Sequence, residues 1–145
     1  MGQAVSFLTQ SKFYSPAFNG AIFDGPVRIY FAQYQETLAL KFYFCMQKDM
    51  RDLLQFYKDA SHLRGRTVYV MLYPTTETFE RSFDQSPIEG LVANERWGED
   101  HVVGVCNPND ETDFDSAFSV LRQTLSQWKA QAGPNLRLAV DAQAL

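Results

Sequence analysis

Apolar and polar residues alternate along two neighbouring stretches in the first third of the chain. Val27, Ile29 and Phe31 occupy every second position of one stretch, and the same period continues through residues 38–45. A period of two is typical of strands with one buried face. The pattern therefore predicts a β-hairpin of residues 27–32 and 38–45 that turns around Gln35 and Glu36, with one face rich in aliphatic residues and phenylalanine.

Two later segments show the helical period instead. Residues 48–63 carry one apolar stripe, and residues 110–132 carry a longer one with acidic residues in the first turns. The prolines fall between periodic segments, and Gly133-Pro134 is expected to end the last helix. The stripe of that helix contains Phe114, Ala117, Phe118, Leu121, Leu125 and Trp128.

The remaining segments complete the predicted order. Residues 67–73 are apolar on both faces, as in a central strand that is covered on two sides. Residues 88–97 and 101–106 predict two strands with a tight turn at Gly98, and residues 75–83 a short helix capped by Thr75 or Thr76. Residues 4–13 suggest a short helix, and residues 135–145 an edge strand. Cys45 and Cys106 both fall in predicted strands and are expected to be free, structural thiols.

The order of elements is (α)ββαβ(α)ββα, which predicts an α+β fold with a mainly antiparallel five-stranded sheet packed with helices. We expect a single domain over residues 1–145, in which residues 1–25 and 134–145 are peripheral or only partly ordered. By topology alone, this order resembles the roadblock, longin and profilin-like group of scaffolds. That resemblance implies a dimerising or docking module.

Composition and charge narrow the function classes. The chain is 46% hydrophobic with a formal net charge of −4, and its Lys and Arg residues are scattered. We therefore expect a globular protein that does not bind nucleic acid. No stretch approaches the roughly 20 apolar residues of a spanning helix, and the first 25 residues lack the pattern of a secretory signal. These features favour a cytoplasmic protein without membrane insertion.

No residue pattern indicates catalysis, a cofactor or a metal. The glycines are dispersed, and the two histidines and two cysteines lack the spacing of a zinc site. His101 and Cys106 are five residues apart, so an unbroken strand would direct them to opposite faces. We accordingly predict no catalytic, cofactor or metal residues. The mixed turn at residues 95–101 offers a secondary contact through Arg96, Trp97 and His101.

The second face of the predicted hairpin carries the main candidate interface. Three tyrosines there need a cover, which is either a partner or the aromatic residues of the N-terminal segment, namely Phe7, Phe13, Tyr14 and Phe18. We expect a non-enzymatic interaction module that regulates or scaffolds other proteins as a homodimer. The alternatives are a small enzyme or ligand-binding domain with a site at residues 95–101, and a secretion-chaperone-like protein that binds a client. The predicted interface consists of Tyr30, Tyr34 and Tyr43, with Arg28 and Lys41 at its margins.

Overall fold

The fold is an α+β arrangement in a computed structural model that describes residues 10–59, 66–109 and 111–144. Helices and short 3-10 turns, at Gln33–Gln35 and Glu111–Phe114, connect the strands of one sheet. The strands are β1 (Gly20–Asp24), β2 (Val27–Phe31), β3 (Val68–Tyr73), β4 (Val92–Trp97) and β5 (Asp100–Cys106). The helices are α1 (Glu36–Asp49), α2 (Arg51–Asp59), α3 (Thr76–Ser82) and α4 (Asp115–Ala144).

The described residues form a five-stranded sheet in the order β1-β2-β3-β5-β4. The prediction of an α+β fold with five strands is confirmed, but the expectation of a mainly antiparallel sheet is wrong at the centre. Only the outer pairs β1–β2 and β4–β5 are antiparallel, whereas β3 is parallel to both of its neighbours. Parallel neighbours need a crossover connection. Helices α1 and α2 provide it between β2 and β3.

The predicted second strand at residues 38–45 is wrong, because this segment belongs to helix α1. Ala39, Phe42 and Met46 are its buried residues. Their spacing of three and four is helical, and it coexists in the sequence with the alternation that suggested a strand. The strand that pairs with β2 is β1, which precedes it.

The β1–β2 hairpin turns at Gly25 and Pro26, since Asp24 is directly opposite Val27. Gly25 has a φ of +56°, which glycine adopts without the steric cost that a Cβ imposes. Proline then fixes a negative φ at the second loop position. This order of signs is that of a type II′ turn, whose twist suits a hairpin.

The inner face of the sheet carries the larger core. Helices α1, α2 and α4 cover it, and the predicted stripe of the last helix is confirmed as buried from Phe114 to Trp128. The Phe42 ring of α1 lies 5.1 Å from the Phe114 ring and 4.9 Å from the Phe118 ring. Asp49 and Arg122 form an ion pair between α1 and α4. The helices therefore contact each other as well as the sheet.

Helix α4 does not end at Gly133-Pro134, and no edge strand follows. The helix continues to Ala144, so both expectations for this segment are wrong. Pro134 removes a single backbone donor. The residues beyond it are rich in Leu, Ala, Arg and Gln, which favour helix, and this preference outweighs the alternation of Leu136, Leu138 and Val140 in the sequence.

The outer face is covered by the N-terminal segment and α3. Phe13 and Phe18 are buried there with Phe79 of α3 and with Phe83, which directly follows this helix, around the side chain of Tyr73. The Tyr73 hydroxyl donates to the carbonyl oxygen of Phe13 at 2.6 Å, and Thr75 caps α3 as predicted. The aromatic residues of the N-terminal segment thus cover part of the sheet, while Phe7 lies outside the described residues.

One glycine on β5 permits this aromatic packing. A Cβ built on Gly104 would clash with the ring of Phe83 and lie 3.0 Å from that of Tyr73. The missing side chain therefore lets two rings rest on the strand itself. Within the residues described here, no helix combines the length and apolar character needed to cross a bilayer.

Leu121→Ala tests the packing of α4. Leu121 is fully buried in the inner core, so its truncation leaves a cavity and should reduce the free energy of unfolding by about 2–5 kcal/mol. Urea unfolding followed by circular dichroism measures the change. Gln123→Ala, at an exposed position of the same helix, is the matched control. Equal stability of the two variants would contradict the packing described.

Candidate functional site

The three tyrosines of the predicted interface do not share a face. Tyr30 is buried on the outer side of β2, Tyr34 lies in a 3-10 turn with 76% of its surface exposed, and Tyr43 is half-buried on α1. Because residues 38–45 are helical, the common hairpin face on which this interface was predicted does not exist. Burial also raises the pKa of the Tyr30 hydroxyl.

The two basic residues of the predicted interface are separated as well. The Arg28 guanidinium lies 4.5 Å from the centre of the Phe23 ring, on the outer side of the sheet edge. Lys41 is exposed on α1. Both positions nevertheless belong to the side of the molecule formed by β1, β2 and α1, as Tyr34 and Tyr43 also do.

An apolar stripe runs along the exposed side of α1. Leu40 is 39% exposed and Phe44 is 60% exposed, and a spacing of four residues makes them neighbours on the helix surface. The Phe44 ring lies 5.5 Å from that of Tyr43. Glu36 at the start of the helix and Lys48 near its end are also exposed. We call Leu40 and Phe44, with these two charges, the α1 stripe.

Polar side chains connect α1 to the edge strand β1. Asp24 is a buried carboxylate that lies 3.4 Å from the Lys58 ammonium and accepts a hydrogen bond from Gln47 Nε2 at 3.4 Å. The same Gln47 nitrogen donates to the Tyr43 hydroxyl at 2.7 Å. Burial and the adjacent Asp24 carboxylate raise the pKa of Tyr43. This network fixes α1 beside the end of β1.

The secondary contact predicted at residues 95–101 is divided between the two sides of the sheet, because side chains alternate along the β4–β5 hairpin. Glu95 and Trp97 point to the outer side, where the Trp97 ring lies 5.6 Å from Tyr69 and Glu95 pairs with Lys12 at 2.9 Å. Arg96 and His101 are directly opposite each other across the hairpin. By strand alternation they belong to the inner side. Residues 95–101 therefore do not form one cluster.

Arg96 and His101 join two residues that the sequence reasoning missed. The His101 ring lies 5.5 Å from the Trp128 ring of α4, and the Arg66 guanidinium lies 5.8 Å from the same ring. We call Arg66, Arg96, His101 and Trp128 the basic corner. In the sequence, only one feature indicated the position of Arg66. It precedes Val68 by two residues, and in an extended chain this spacing directs the two side chains to the same side of the sheet. The position of Trp128 depends on how the helix packs.

Hydrogen bonds hold two side chains of the basic corner, those of His101 and Arg66. Nδ1 of His101 is 3.2 Å from Oδ1 of Asn94, and Arg66 Nη1 donates to Gln131 Oε1 at 2.7 Å. Partial burial lowers the pKa of His101, and the nearby charges of Arg96 and Arg66 lower it further. The imidazole is therefore largely neutral near pH 7.

The polar loop before α4 is joined by internal hydrogen bonds. The side-chain amides of Asn107 and Asn109 donate to the two carboxylate oxygens of Glu89, at 3.2 and 2.9 Å. The Asp113 carboxylate accepts from the backbone N–H of Asn109 at 2.8 Å. Among the residues described, no group of three or more His, Cys, Asp and Glu side chains is arranged to hold a metal ion.

Both cysteines are free thiols. Cys106 is buried in β5 as predicted, but Cys45 is half-buried on α1, because its segment is helical. Burial, with a smaller effect of the Glu89 carboxylate, raises the pKa of Cys106 to about 11. The other histidine of the chain, His62, lies outside the described residues.

Comparison of the chain with protein-family models, with curated proteins and with solved structures found no match. The site is therefore interpreted from its own geometry.

Alkylation rates distinguish a structural thiol from a reactive one. At pH 7.5 the native protein should react slowly at Cys106, because the thiol is buried and its raised pKa leaves little thiolate. Cys45 should react faster, and both should react rapidly in urea. Mass spectrometry of peptides after timed labelling measures each rate. Rapid native labelling of Cys106 would contradict a purely structural role.

Proposed function

We propose that this chain is a non-enzymatic protein-interaction module that forms a homodimer through the α1 stripe. Its role would be that of a cytoplasmic regulator or scaffold. The observation that carries the proposal is the exposure of Leu40 and Phe44 on adjacent turns of a helix whose other side is core. Single exposed apolar residues are common, whereas a contiguous apolar patch indicates an interaction surface.

The charges of the α1 stripe favour a second copy of the chain as the partner. A two-fold interface places the same surface of each subunit against the other. If two α1 helices cross antiparallel with the axis between Leu40 and Phe44, Leu40 faces Phe44 of the partner subunit. Glu36 then faces Lys48 of the partner subunit. Glu36 and Lys48 are about 18 Å apart on each helix. The dimer therefore contains two Glu–Lys pairs, one on each side of the apolar contact between Leu40 and Phe44.

The adjoining sheet edge supports the same location. Within the described part of the chain β1 pairs only with β2, so its other side offers backbone donors and acceptors. Phe23 on this strand is 48% exposed. The contact between Gln47 and Asp24 places α1 beside β1. A second copy seated on the α1 stripe would thus meet a strand edge, while Phe23 lies on the other side of the sheet with Tyr30.

Residues 95–101, the alternative location considered for an enzyme or ligand site, are arranged in a way that also supports an interaction role. A catalytic site at residues 95–101 would need its chemical groups on one side of the hairpin, but Glu95 and His101 lie on opposite sides. The carboxylate of Glu95 is paired with Lys12. An interaction module needs no such convergence.

Phe44→Glu tests the dimer. A charge in the centre of an apolar interface should weaken self-association by about 30-fold or more, and Phe44 is exposed enough for the subunit to remain folded. Light scattering coupled to gel filtration should give a dimer for the natural chain and a monomer for the variant. Ile88→Glu, at an exposed apolar residue away from α1, should remain dimeric. A monomeric natural chain at high concentration would contradict the proposal.

A charge exchange tests the antiparallel arrangement. Glu36→Lys should weaken the dimer, because two lysines would then face each other across each end of the interface. The double variant Glu36→Lys/Lys48→Glu restores opposite charges and should recover most of the affinity. Sedimentation equilibrium at low salt measures both. Failure of the double variant to recover affinity would exclude this register while leaving the test at Phe44 unaffected.

A further inference from the structure

Three basic side chains form a row at one end of the inner face, on β4, on β5 and just before β3. Arg96 on β4 is opposite His101 on β5, and His101 is in register with Val68 on β3. Arg66 precedes Val68 by two positions and lies against Trp128 with His101. Neighbouring strands are about 4.8 Å apart and two residues span about 7 Å along a strand, so the two arginines start from backbones about 12 Å apart with His101 between them.

The two arginines of this row lack an acidic partner among the described side chains. In the described part of the chain, no carboxylate forms a salt bridge with Arg66 or Arg96. Of the acidic residues beside the row, Glu95 pairs with Lys12 at 2.9 Å and the Asp100 carboxylate accepts the backbone N–H of Thr67 at 2.8 Å. A guanidinium has five N–H donors, and the hydrogen bond to Gln131 uses one of those on Arg66.

Contacts position two of the three groups, the imidazole of His101 and the guanidinium of Arg66. The Trp128 ring contacts both His101 and Arg66, and Asn94 holds Nδ1 of His101. Because the two imidazole nitrogens lie on opposite sides of the ring, Nε2 points away from Asn94. A ligand that meets positioned donors loses less entropy on binding than one that must order them.

From this arrangement we propose that the basic corner binds a phosphate monoester. Two guanidinium forks and one imidazole match the three oxygens and the double negative charge of that group. A single carboxylate has one charge and two oxygens, so it would leave one guanidinium unpaired. The proposal is independent of the homodimer, because the basic corner shares no residue with the α1 stripe and extends from the start of β3 to β4, whereas α1 lies beside β1 and β2.

Binding should change the protonation of His101. Arg66 and Arg96 disfavour the imidazolium in the free protein, and Asp100 opposes them. A phosphate dianion beside the ring adds negative charge and accepts a hydrogen bond from the protonated Nε2. The pKa of His101 should therefore rise when phosphate is bound.

Calorimetric titration of the full chain with inorganic phosphate tests the site. The natural chain should bind saturably, and Arg66→Gln/Arg96→Gln should bind at least about 10-fold more weakly. Arg81→Gln on α3, an exposed arginine outside the corner, should bind as the natural chain does. Thermal melting confirms that each variant is folded. Absent binding, or equal binding by the double variant, would overturn the proposal.

Further titrations distinguish the chemistry and its source. Phosphoserine within a peptide and a nucleoside monophosphate should both compete with inorganic phosphate, and the tighter of the two identifies the source. The same peptide with glutamate in place of phosphoserine should bind at least about 10-fold more weakly. Equal affinity for the glutamate peptide would overturn the assignment to phosphate. An NMR titration of His101 should show a higher pKa with phosphate present, and an unchanged pKa would place the anion elsewhere.

Discussion

Strand β3 is buried on both faces along its whole length and has a parallel neighbour on each side. A strand of this kind needs two covering layers and a crossover connection for each parallel neighbour. Helices α1 and α2 supply one crossover and lie on the inner face, while the connection to β5 carries α3 to the outer face. The other strands, the helix layer and the aromatic cover are arranged around this requirement.

The same requirement determines which surfaces remain open. The helices and the aromatic cover are concentrated on the central strands, so unsatisfied surface remains at the two sides of the sheet. One side presents the α1 stripe beside β1, and the other presents the basic corner beside β4. The first surface is apolar at its centre and the second is cationic, so they are suited to chemically different partners. The two surfaces share no residue, so one can be altered by substitution without changing the other.

The elements with one consistent period could be predicted from the sequence. The doubly apolar run of β3, the β4–β5 hairpin and the apolar stripe of α4 from Phe114 to Trp128 all lie where the pattern placed them. Residues 38–45 satisfied both periods, and only the packing of Ala39, Phe42 and Met46 against the inner core decides for a helix. The predicted interface of three tyrosines depended on a strand at residues 38–45, so it is wrong for the same reason. Only half of the basic corner could be predicted from the sequence. Arg96 and His101 are neighbours on a predicted hairpin, whereas Arg66 and Trp128 come close to them only through tertiary packing.

The hydrogen bond from the Tyr73 hydroxyl to the carbonyl oxygen of Phe13 joins residues that are 60 positions apart. The order of synthesis is therefore the reverse of the order of assembly for this part of the molecule. The aromatic segment around Phe13 leaves the ribosome early, but its binding surface exists only after β3 has joined the sheet. Contacts of such long sequence separation carry a large loop-closure cost and slow folding. During translation, Phe13 and Phe18 therefore have no sheet to pack against until β3 has been synthesised.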